Sequence, residues 1–275
     1  MGLRVNTNVQ SLAAQRNLSI VTDRLSTNYR RLASGLRVDT AADDPAGLGI
    51  SERMRSQISS LSQAARNTQD GVSLVQSAEG AMGEINGNLS RMRELAIQAA
   101  NGTYSTEDRA IMDTEFQALI EEIDRISGSA QFNGIPLLDG SAANVPIQVG
   151  TNLTERIDIP LADTTAANLG LDDASFALTT QSEAEEILDD LDIVIDSVNT
   201  QRGQLGVSQN RLESSMRSIL SIRENLSAAE SRIRDVDVAM ETADLTRNSI
   251  MQQAAVSVLS QANSQPQIAL SLLQQ

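Results

Sequence analysis

The side chains that carry out most enzyme chemistry are largely missing from this sequence. The 275 residues include no histidine, cysteine or tryptophan, and all 21 basic residues are arginine, so lysine is absent as well. Without histidine and cysteine the chain has no imidazole base, no thiol nucleophile and no zinc-finger ligands. Without lysine it has no Schiff-base amine and no phosphate-binding Gly-Lys-Ser/Thr loop. We therefore expect a protein that is not an enzyme, with no catalytic residue, cofactor or metal ion.

Carboxylates are the remaining candidates for catalysis, and they occur in four clusters. An acid–base pair needs one carboxyl group in an apolar pocket that raises its pKa, and a calcium loop needs acids that alternate around a glycine and end in glutamate. No stretch has the calcium pattern, and the polar surroundings favour solvated surfaces over an acid–base pair. The clusters are Asp43–Asp44, Glu121–Glu122–Asp124, Asp172–Asp173 and Asp189–Asp190–Asp192.

The formal net charge of −15 is concentrated in the middle of the chain. Residues 101–200 contain 3 arginines and 20 acidic residues, whereas residues 1–36 contain five arginines and one acid, Asp23. These arginines are not interleaved with a series of stacking aromatics, so we expect no nucleic-acid binding. No apolar run approaches the roughly 18 residues of a membrane span, and the first residues lack the apolar core of a cleaved signal peptide. We expect neither a membrane segment nor such a signal.

Proline positions and hydrophobic spacing predict long helices towards both ends of the chain. Residues 46–135 and 161–265 contain no proline, which breaks helix interiors. Within them apolar residues recur every three and four residues, the period of helices packed in coiled coils or bundles. Ser105 and Asp108 form an N-cap pattern after the turn at Asn101-Gly102, so the flanking helices should run antiparallel. The seam positions are Met82, Ile85, Leu89, Met92, Ala96, Ala99; Met112, Phe116, Leu119, Ile123, Ile126; Ala184, Ile187, Leu191, Val194, Val198; and Leu212, Ser215, Ile219, Ile222, Leu226, Ala229, Ile233.

Three glycines, Gly80, Gly83 and Gly87, resemble a fragment of a phosphate-binding loop. They lie inside a helical pattern, however, and no strand precedes them as such a loop requires. Because glycine lets helix backbones approach each other, we interpret them as sites of close helix packing.

The middle of the chain has the alternation typical of β-strands. Val145, Ile147 and Val149 alternate with polar residues or proline, and Ile157 and Ile159 do the same after the turn residues 151–154. Asn133-Gly134 is a second turn signal. A β-hairpin region of this size, about 130–180, cannot be stable alone and must pack on the helices.

Both ends of the chain carry apolar stripes that an isolated helix cannot bury. A buried leucine or isoleucine contributes roughly 1.5–3 kcal/mol, so the stripes must pair with each other, with a membrane surface or with other copies. A membrane-lying helix needs aromatic residues on its apolar face and basic residues opposite, whereas the last stripe has no aromatic residue and one arginine, Arg247. We therefore predict burial against protein. The stripes are Leu18, Leu25, Tyr29, Leu32 and Leu36 at the front, and Ile250, Ala254, Val258, Ala262, Ile268, Leu272 and Leu273 at the back.

Several longer motifs occur together in the two helical parts of the chain. They are Leu3-Arg-Val-Asn-Thr-Asn, Ser34-Gly-Leu-Arg-Val-Asp-Thr-Ala-Ala-Asp-Asp-Pro-Ala-Gly-Leu, Arg91-Met-Arg-Glu-Leu-Ala, Gln131-Phe-Asn-Gly and Ile268-Ala-Leu-Ser-Leu-Leu. In these motifs and their order the sequence resembles bacterial flagellin, over about residues 1–140 and 180–275.

The resemblance implies a mainly α fold, with long helices in coiled-coil and bundle packing and a small β-hairpin region in the middle. Residues 1–43 and 236–275 would form an inner coiled-coil domain from the two termini, and residues 44–235 a helical bundle domain with the hairpins. Larger flagellins insert outer domains in the middle, where this chain has only about 40 residues. It would therefore be a minimal flagellin, with its acidic middle on the outer face of a filament.

The resemblance also implies a function and a set of partners. The chain would be the structural subunit of the extracellular flagellar filament used in swimming, a homo-oligomer secreted by the flagellar type III system. Its partners would be the export chaperone, the filament cap, the hook-associated junction proteins and, in animal hosts, the Toll-like receptor for flagellin. Arg91, Leu95 and Glu115 match the receptor-recognised surface, which is also buried between subunits. On the helical pattern alone, Leu95 falls beside the core, with Arg91 one turn before it.

Two other functions remain open at this point. A hook–filament junction protein has similar ends and a different central region, and the contiguous motifs from Ser34 and Arg91 favour flagellin over it. An enzyme built on the same scaffold, such as a flagellin with a metalloprotease insert, needs His-Glu-x-x-His, and the sequence contains no histidine.

Overall fold

The computed structural model describes residues 7–172 and 176–273, with side chains as far as residue 265. Most of the chain is helical, which confirms the predicted mainly α fold. Two small antiparallel sheets lie in its middle, β1 with β2 and β3 with β4. The helices are α1 (Val9–Ser34), α2 (Pro45–Ala99), α3 (Thr106–Ser129), α4 (Ala166–Leu169), α5 (Gln181–Arg234) and α6 (Val238–Leu273); the strands are β1 (Gln131–Phe132), β2 (Ile135–Pro136), β3 (Asn144–Gln148) and β4 (Arg156–Pro160). No helix in the described ranges is long and apolar enough to cross a membrane.

The chain divides into two compact units. One comprises residues 57–224, and the other comprises residues 1–56 and 225–275. The larger unit has a continuous apolar core made by parts of α2, α3 and α5 together with the strand region. Most of the predicted seam positions lie in it and are buried. Fully buried members include Met82, Ile85, Leu89, Met92, Phe116, Ile123, Leu191 and Val198. Ile222 was predicted in a seam and is instead exposed.

Short-range hydrogen bonds explain where α3 begins. The hydroxyl of Ser105 accepts a bond from the amide of Asp108, and the carboxylate of Asp108 accepts one from the amide of Ser105, which is the predicted capping box. Arg109, a buried residue that the pattern did not single out, donates to the carbonyls of Ala99 and Asn101 at 2.8 and 3.2 Å. It thereby satisfies the C-terminus of α2 and fixes the reversal between α2 and α3.

Both predicted turns lie between paired strands. Asn133 and Gly134 have φ values of +50° and +78°, the left-handed backbone that a tight hairpin turn requires, and they join β1 to β2. In the second sheet Ile147 pairs with Ile157, so that the apolar side chains share one face. An added Cβ at Gly71 of α2 would come within 3.1 Å of the Ile147 side chain. The glycine therefore allows this hairpin to lie close against α2.

The interpretation of Gly80, Gly83 and Gly87 as close-packing sites is wrong. A Cβ added at any of the three would meet no described atom within 4 Å. They lie on the surface of α2, because the core side of this helix is occupied by the alternating residues Met82, Ile85 and Leu89.

Candidate assembly and recognition surfaces

In the smaller unit, α1 and α6 pack side by side and run antiparallel. The side-chain amide of Asn8, just before α1, donates from its Nδ2 to the backbone carbonyl of Ala262 near the end of α6 at 2.8 Å. At the other end of the pair, Leu36 bridges to Asp235 through the backbone. As predicted, Leu18, Leu25 and Leu32 repeat every seven residues along the partly buried face of α1. The positions of that face, spaced three and four residues apart, are Ser11, Ala14, Leu18, Val21, Leu25, Asn28 and Leu32.

The buried face of α6 differs from the predicted stripe. Ala262 is buried, but Ile250 and Val258 are 62% and 59% exposed. The buried positions follow a different heptad pattern, which contains polar residues, and Asn28 of α1 provides hydrogen-bond partners for two of them, Glu241 and Asn248. The positions of this pattern, all buried or partly buried, are Glu241, Leu245, Asn248, Gln252, Ala255, Leu259 and Ala262. The predicted positions Ile268, Leu272 and Leu273 fall on the helical backbone of α6, and their side chains lie outside the described residues.

Leu36, which the sequence placed in the front stripe, lies beyond the end of α1. The helix ends at Ser34, since Gly35 adopts a left-handed conformation with φ of +72°. The following residues run beside the end of α5: the amide of Arg37 donates to the carbonyl of Arg234 at 2.6 Å, and the amide of Val236 donates to Gly35 at 3.0 Å. Leu36 is therefore held by backbone pairing in a loop and is only partly buried.

Asp44 caps α2, which starts at Pro45. The Asp44 carboxylate accepts hydrogen bonds from the amides of Ala46 and Gly47 at 3.1 and 2.9 Å. These are two of the amides that a helix start leaves unpaired, and proline in the first position needs no partner. The capping role of this loop is therefore a feature of the folded chain itself.

Asp43 has a different function from its neighbour. Its carboxylate accepts bonds from the amide and hydroxyl of Thr40 at 3.0 and 2.8 Å, and it forms ion pairs with Arg30 at 3.0 Å and Arg31 at 3.7 Å. The hydrogen bonds from Thr40, with a smaller contribution from Arg30, lower the pKa of Asp43 below its ordinary value of 3.8. Asp43 thus joins the loop to the end of α1.

In the larger unit, Arg91 and Glu115 lie together across α2 and α3. The Arg91 Nε donates to Glu115 Oε1 at 2.9 Å, and its Nη1 donates to Glu94 Oε2 at 3.0 Å. The side chains of Arg91 and Glu115 are about half exposed, and that of Glu94 is 67% exposed. The hydrogen bonds to Glu94 and Glu115 raise the pKa of Arg91, so it remains a fixed positive charge. Two of the three residues that the sequence analysis assigned to one surface, Arg91 and Glu115, are therefore in direct contact.

Leu95 does not belong to that exposed surface. The sequence pattern placed it beside the core, yet it is 2% exposed and belongs to the apolar core of the larger unit. The prediction failed because a single helix wheel assumes one packing partner, whereas this part of α2 is covered on more than one side. Both the seam residues Met92 and Ala96 and the adjacent Leu95 are consequently buried.

Several acidic side chains act through contacts distant in sequence that the pattern did not reveal. Arg93 of α2 forms two hydrogen bonds with Asp192 of α5, Nε to Oδ1 at 2.6 Å and Nη2 to Oδ2 at 3.1 Å. On α3, Asp124 accepts a bond from the amide of Ala166 at 2.6 Å, and Asp113 accepts one from the amide of Leu178 at 2.8 Å. Asp113 and Asp124 therefore hold the segment that follows the hairpins against α3, which is a structural role.

The architecture is that of a mainly helical protein whose first and last helices, α1 and α6, pack on each other. Comparison of the sequence with models of known protein families identifies the family. The sequence-family model for the bacterial flagellin N-terminal helical region matches residues 5–143, and the family model for the bacterial flagellin C-terminal helical region matches residues 188–273. The chain belongs to the bacterial flagellin family and is a structural subunit of a flagellar filament.

Individual relatives agree with this assignment. A flagellin of Halalkalibacterium halodurans is 45% identical, with 98% of this chain and 99% of the relative covered. The flagellar filament 30.7 kDa core protein of Treponema maltophilum is 43% identical at the same coverage. The crystal structure of Bacillus cereus flagellin is 34% identical and covers 60% of this chain and 94% of its own, with a TM-score of 0.52. A putative flagellar hook-associated protein from Vibrio parahaemolyticus shares the fold, with 16% identity, a TM-score of 0.60, and 70% and 100% of the chains covered.

Proposed function

We propose that this chain polymerises through its two terminal helices into the filament that acts as the propeller in swimming. The observation that carries the proposal is the apolar surface that remains on the outside of the α1–α6 pair. Leu12 and Ile20 of α1, and Ile250, Val256 and Val258 of α6, are each about half exposed or more. Exposed apolar side chains on both helices of the pair are available for contacts with another protein chain.

In the filament, residues 1–43 and 236–275 form the inner coiled-coil domain, and residues 44–235 form the surrounding bundle. The acidic middle of the chain faces outward, where charge keeps a polymer soluble. The subunit reaches the outside of the cell unfolded, through the flagellar type III export channel. A chain without cysteine and with few large aromatic residues suits such a route, because no disulfide has to be broken during passage.

The partners follow from this route. The export chaperone binds the C-terminal end before secretion, the filament cap guides addition of subunits, and the hook-associated junction proteins connect the first subunits to the hook. Each of these partners meets the terminal helices while their apolar faces are still uncovered. The single C-terminal segment is therefore used successively by chaperone and neighbouring subunits.

The free subunit is recognised by the Toll-like receptor for flagellin in animal hosts. Arg91 and Glu115 are the accessible members of the receptor surface, and Leu95 supports it from the core. Supporting observations are the direct hydrogen bond between Arg91 and Glu115 and their half-exposed side chains. The same surface packs against a neighbouring subunit in the filament, so receptor binding requires the monomer.

A hook–filament junction protein is the alternative function. The likeness to a putative hook-associated protein, at 16% identity, concerns the fold alone and does not favour this function. The high identity and nearly complete coverage of the Halalkalibacterium halodurans flagellin favour the filament subunit. A junction protein adds a few copies at one place, whereas a filament subunit polymerises without limit.

Seeded polymerisation distinguishes the two functions. Purified chain is added to short filament fragments grown from the same protein or from a related flagellin, and growth is followed by electron microscopy. We expect filaments that lengthen in proportion to the added chain. A single added layer that then stops would support the junction protein, and no binding to the fragment ends would contradict both.

A further inference from the structure

Helix α6 carries apolar side chains on two faces. One contains the apolar residues Ile250, Ala254 and Val258, called here the outer stripe. The face that packs on α1 in the structure contains leucines and alanines, interrupted by the polar residues Glu241, Asn248 and Gln252. Since each face carries apolar side chains, burial of apolar area does not by itself explain why the polar one is chosen.

Three polar side chains form a hydrogen-bonded cluster between the two helices. The Asn28 amide nitrogen donates to the Glu241 carboxylate, and the Asn248 amide nitrogen donates to the Asn28 carbonyl oxygen at 2.7 Å. All three residues are at most 8% exposed. Burying such groups without partners is strongly unfavourable, whereas this arrangement provides partners from the opposite helix.

Neighbouring contacts fix the same orientation. Arg31, one turn after Asn28, has its Nη1 4.0 Å from Glu241 and its Nη2 3.7 Å from Asp43. At the far end of the pair, the Ser11 hydroxyl donates to the side-chain oxygen of Asn263 at 2.7 Å. Polar contacts at both ends of the helix pair therefore hold one face of α6 against α1.

We propose that the cluster of Asn28, Glu241 and Asn248 selects the face of α6 that packs on α1 and so leaves the outer stripe for a second copy of this chain. If α6 turned its outer stripe inward, Asn28 would face apolar side chains and lose both hydrogen bonds. The energetic penalty for that rotation is the lost pairing of buried polar groups, which is how single buried polar residues specify coiled-coil geometry elsewhere.

A second copy is the occupant that the observations favour. The chain belongs to a family of filament subunits, so copies of it lie next to each other, and Ile250 and Val258 of α6 are more than half exposed. The inference rests on the proposed polymerisation and adds which face of α6 makes the contact. In this inference the polar cluster determines which face of α6 packs on α1, and it contributes little to how strongly the two helices bind each other.

Cysteine cross-linking measures the orientation directly, because the natural chain contains no cysteine. Ser11→Cys is combined either with Asn263→Cys, which reports the observed face, or with Gln265→Cys, which lies at the heptad position of Val258 and reports the outer stripe. The full-length chain is oxidised in the presence of filament seeds. Intramolecular products are then separated from intersubunit ones on a non-reducing gel.

Asn28→Leu is the test variant, and Thr27→Leu is its matched control, since it adds the same side chain at the adjacent residue outside the cluster. We expect the 11–263 product to dominate in the unmodified background and in Thr27→Leu. In Asn28→Leu the ratio of the 11–263 product to the 11–265 product should fall about tenfold or more, and polymerisation should slow in parallel. An unchanged ratio and normal polymerisation in Asn28→Leu would overturn the proposal.

An exchange variant covers the case in which Asn28→Leu abolishes pairing altogether. Asn28→Glu combined with Glu241→Asn restores a carboxylate–amide pair with the two residues swapped. Recovery of the 11–263 product supports the proposal, and failure to recover it contradicts it. Polymerisation of the unmodified chain reports on the proposed function, whereas the ratio of cross-links reports on the chosen face, so the two failures are distinguishable.

Discussion

The guanidinium of Arg91 binds the carboxylate of Glu115 through two nitrogens, Nε and Nη2, each 2.9 Å from Oε1. The contact joins α2 to α3 on a surface where both side chains are about half exposed. Because the pair is accessible, we expect its loss to change the stability of the folded chain only slightly.

Arg91→Ala should weaken activation of the Toll-like receptor for flagellin by the purified monomer. A loss of about tenfold or more in potency is expected if Arg91 is a central contact, because such contacts account for most of the binding energy at an interface. Reporter-cell dose responses measure the effect. Arg125→Ala is the matched control, since Arg125 is also an exposed arginine, paired with Glu122 on α3. Full potency of an Arg91→Ala, Glu115→Ala double variant would refute the assignment.

Leu95→Ala should act differently from Arg91→Ala. Because Leu95 is buried, its truncation leaves a cavity and should destabilise the bundle by about 2–5 kcal/mol. Chemical denaturation of the monomer measures the free energy of unfolding. Receptor potency of this variant should recover at low temperature if the effect is only structural. Unchanged stability would contradict the burial of this side chain.

Truncation from Ser264 should abolish polymerisation while leaving the larger unit folded. The deletion removes the C-terminal apolar residues Ile268, Leu270, Leu272 and Leu273 and shortens α6, but it touches none of residues 57–224. Circular dichroism should show a folded monomer, and seeded growth should be absent. Deletion of Gln274 and Gln275 alone is the control and should polymerise normally. Filament growth by the longer deletion would contradict the role of the tail.

The terminal helices should be unprotected in the free monomer and become protected on assembly. Isolated helices are marginal in water, and the α1–α6 pair buries several polar and small residues along its seam. Hydrogen exchange followed by mass spectrometry compares residues 1–36 and 240–275 with residues 82–126 of the bundle. Equal protection of the two regions in the monomer would show that the ends fold without a partner.

Asp44→Ala should destabilise the start of α2 by about 0.5–2 kcal/mol, the typical effect of a lost helix cap. The carboxylate accepts bonds from Ala46 and Gly47, and alanine has no oxygen to replace them. Asp44→Asn is the control that retains a capping oxygen. Melting of the monomer and seeded growth are measured together. An unchanged monomer with abolished growth would show that Asp44 instead makes a contact between subunits.

Acid should weaken the loop around Asp43 through loss of its negative charge. The pKa of Asp43 is lowered from 3.8 in the folded chain, so its ion pairs and hydrogen bonds stabilise the fold above that pH and are lost as the pH falls through the lowered value. Asp43→Asn should therefore reduce the melting temperature of filaments near pH 7, with a difference from the unmodified chain that narrows below about pH 4. Asp39→Asn removes the same charge from the same loop and is the control. A pH-independent difference would exclude this mechanism.

The sequence determined those features that depend on local periodicity and capping. Heptad spacing located the long helices and the buried residues Met82, Ile85 and Phe116, because a side chain every three or four residues must share one helix face. The Ser105–Asp108 capping box and the Asn133-Gly134 turn were equally local, since each is fixed by bonds or backbone angles within four residues.

Only the tertiary structure decided which of several possible faces each helix buries. It placed Leu95 inside the core, because α2 packs against more than one neighbour, and it left Ile250 exposed, because Asn28 provides partners for Glu241 and Asn248 on the other face of α6. A one-dimensional pattern records the apolar residues of a helix but not the polar partners that another helix brings to it. The energy of burying a polar group depends on those partners, which the fold brings together from opposite ends of the chain.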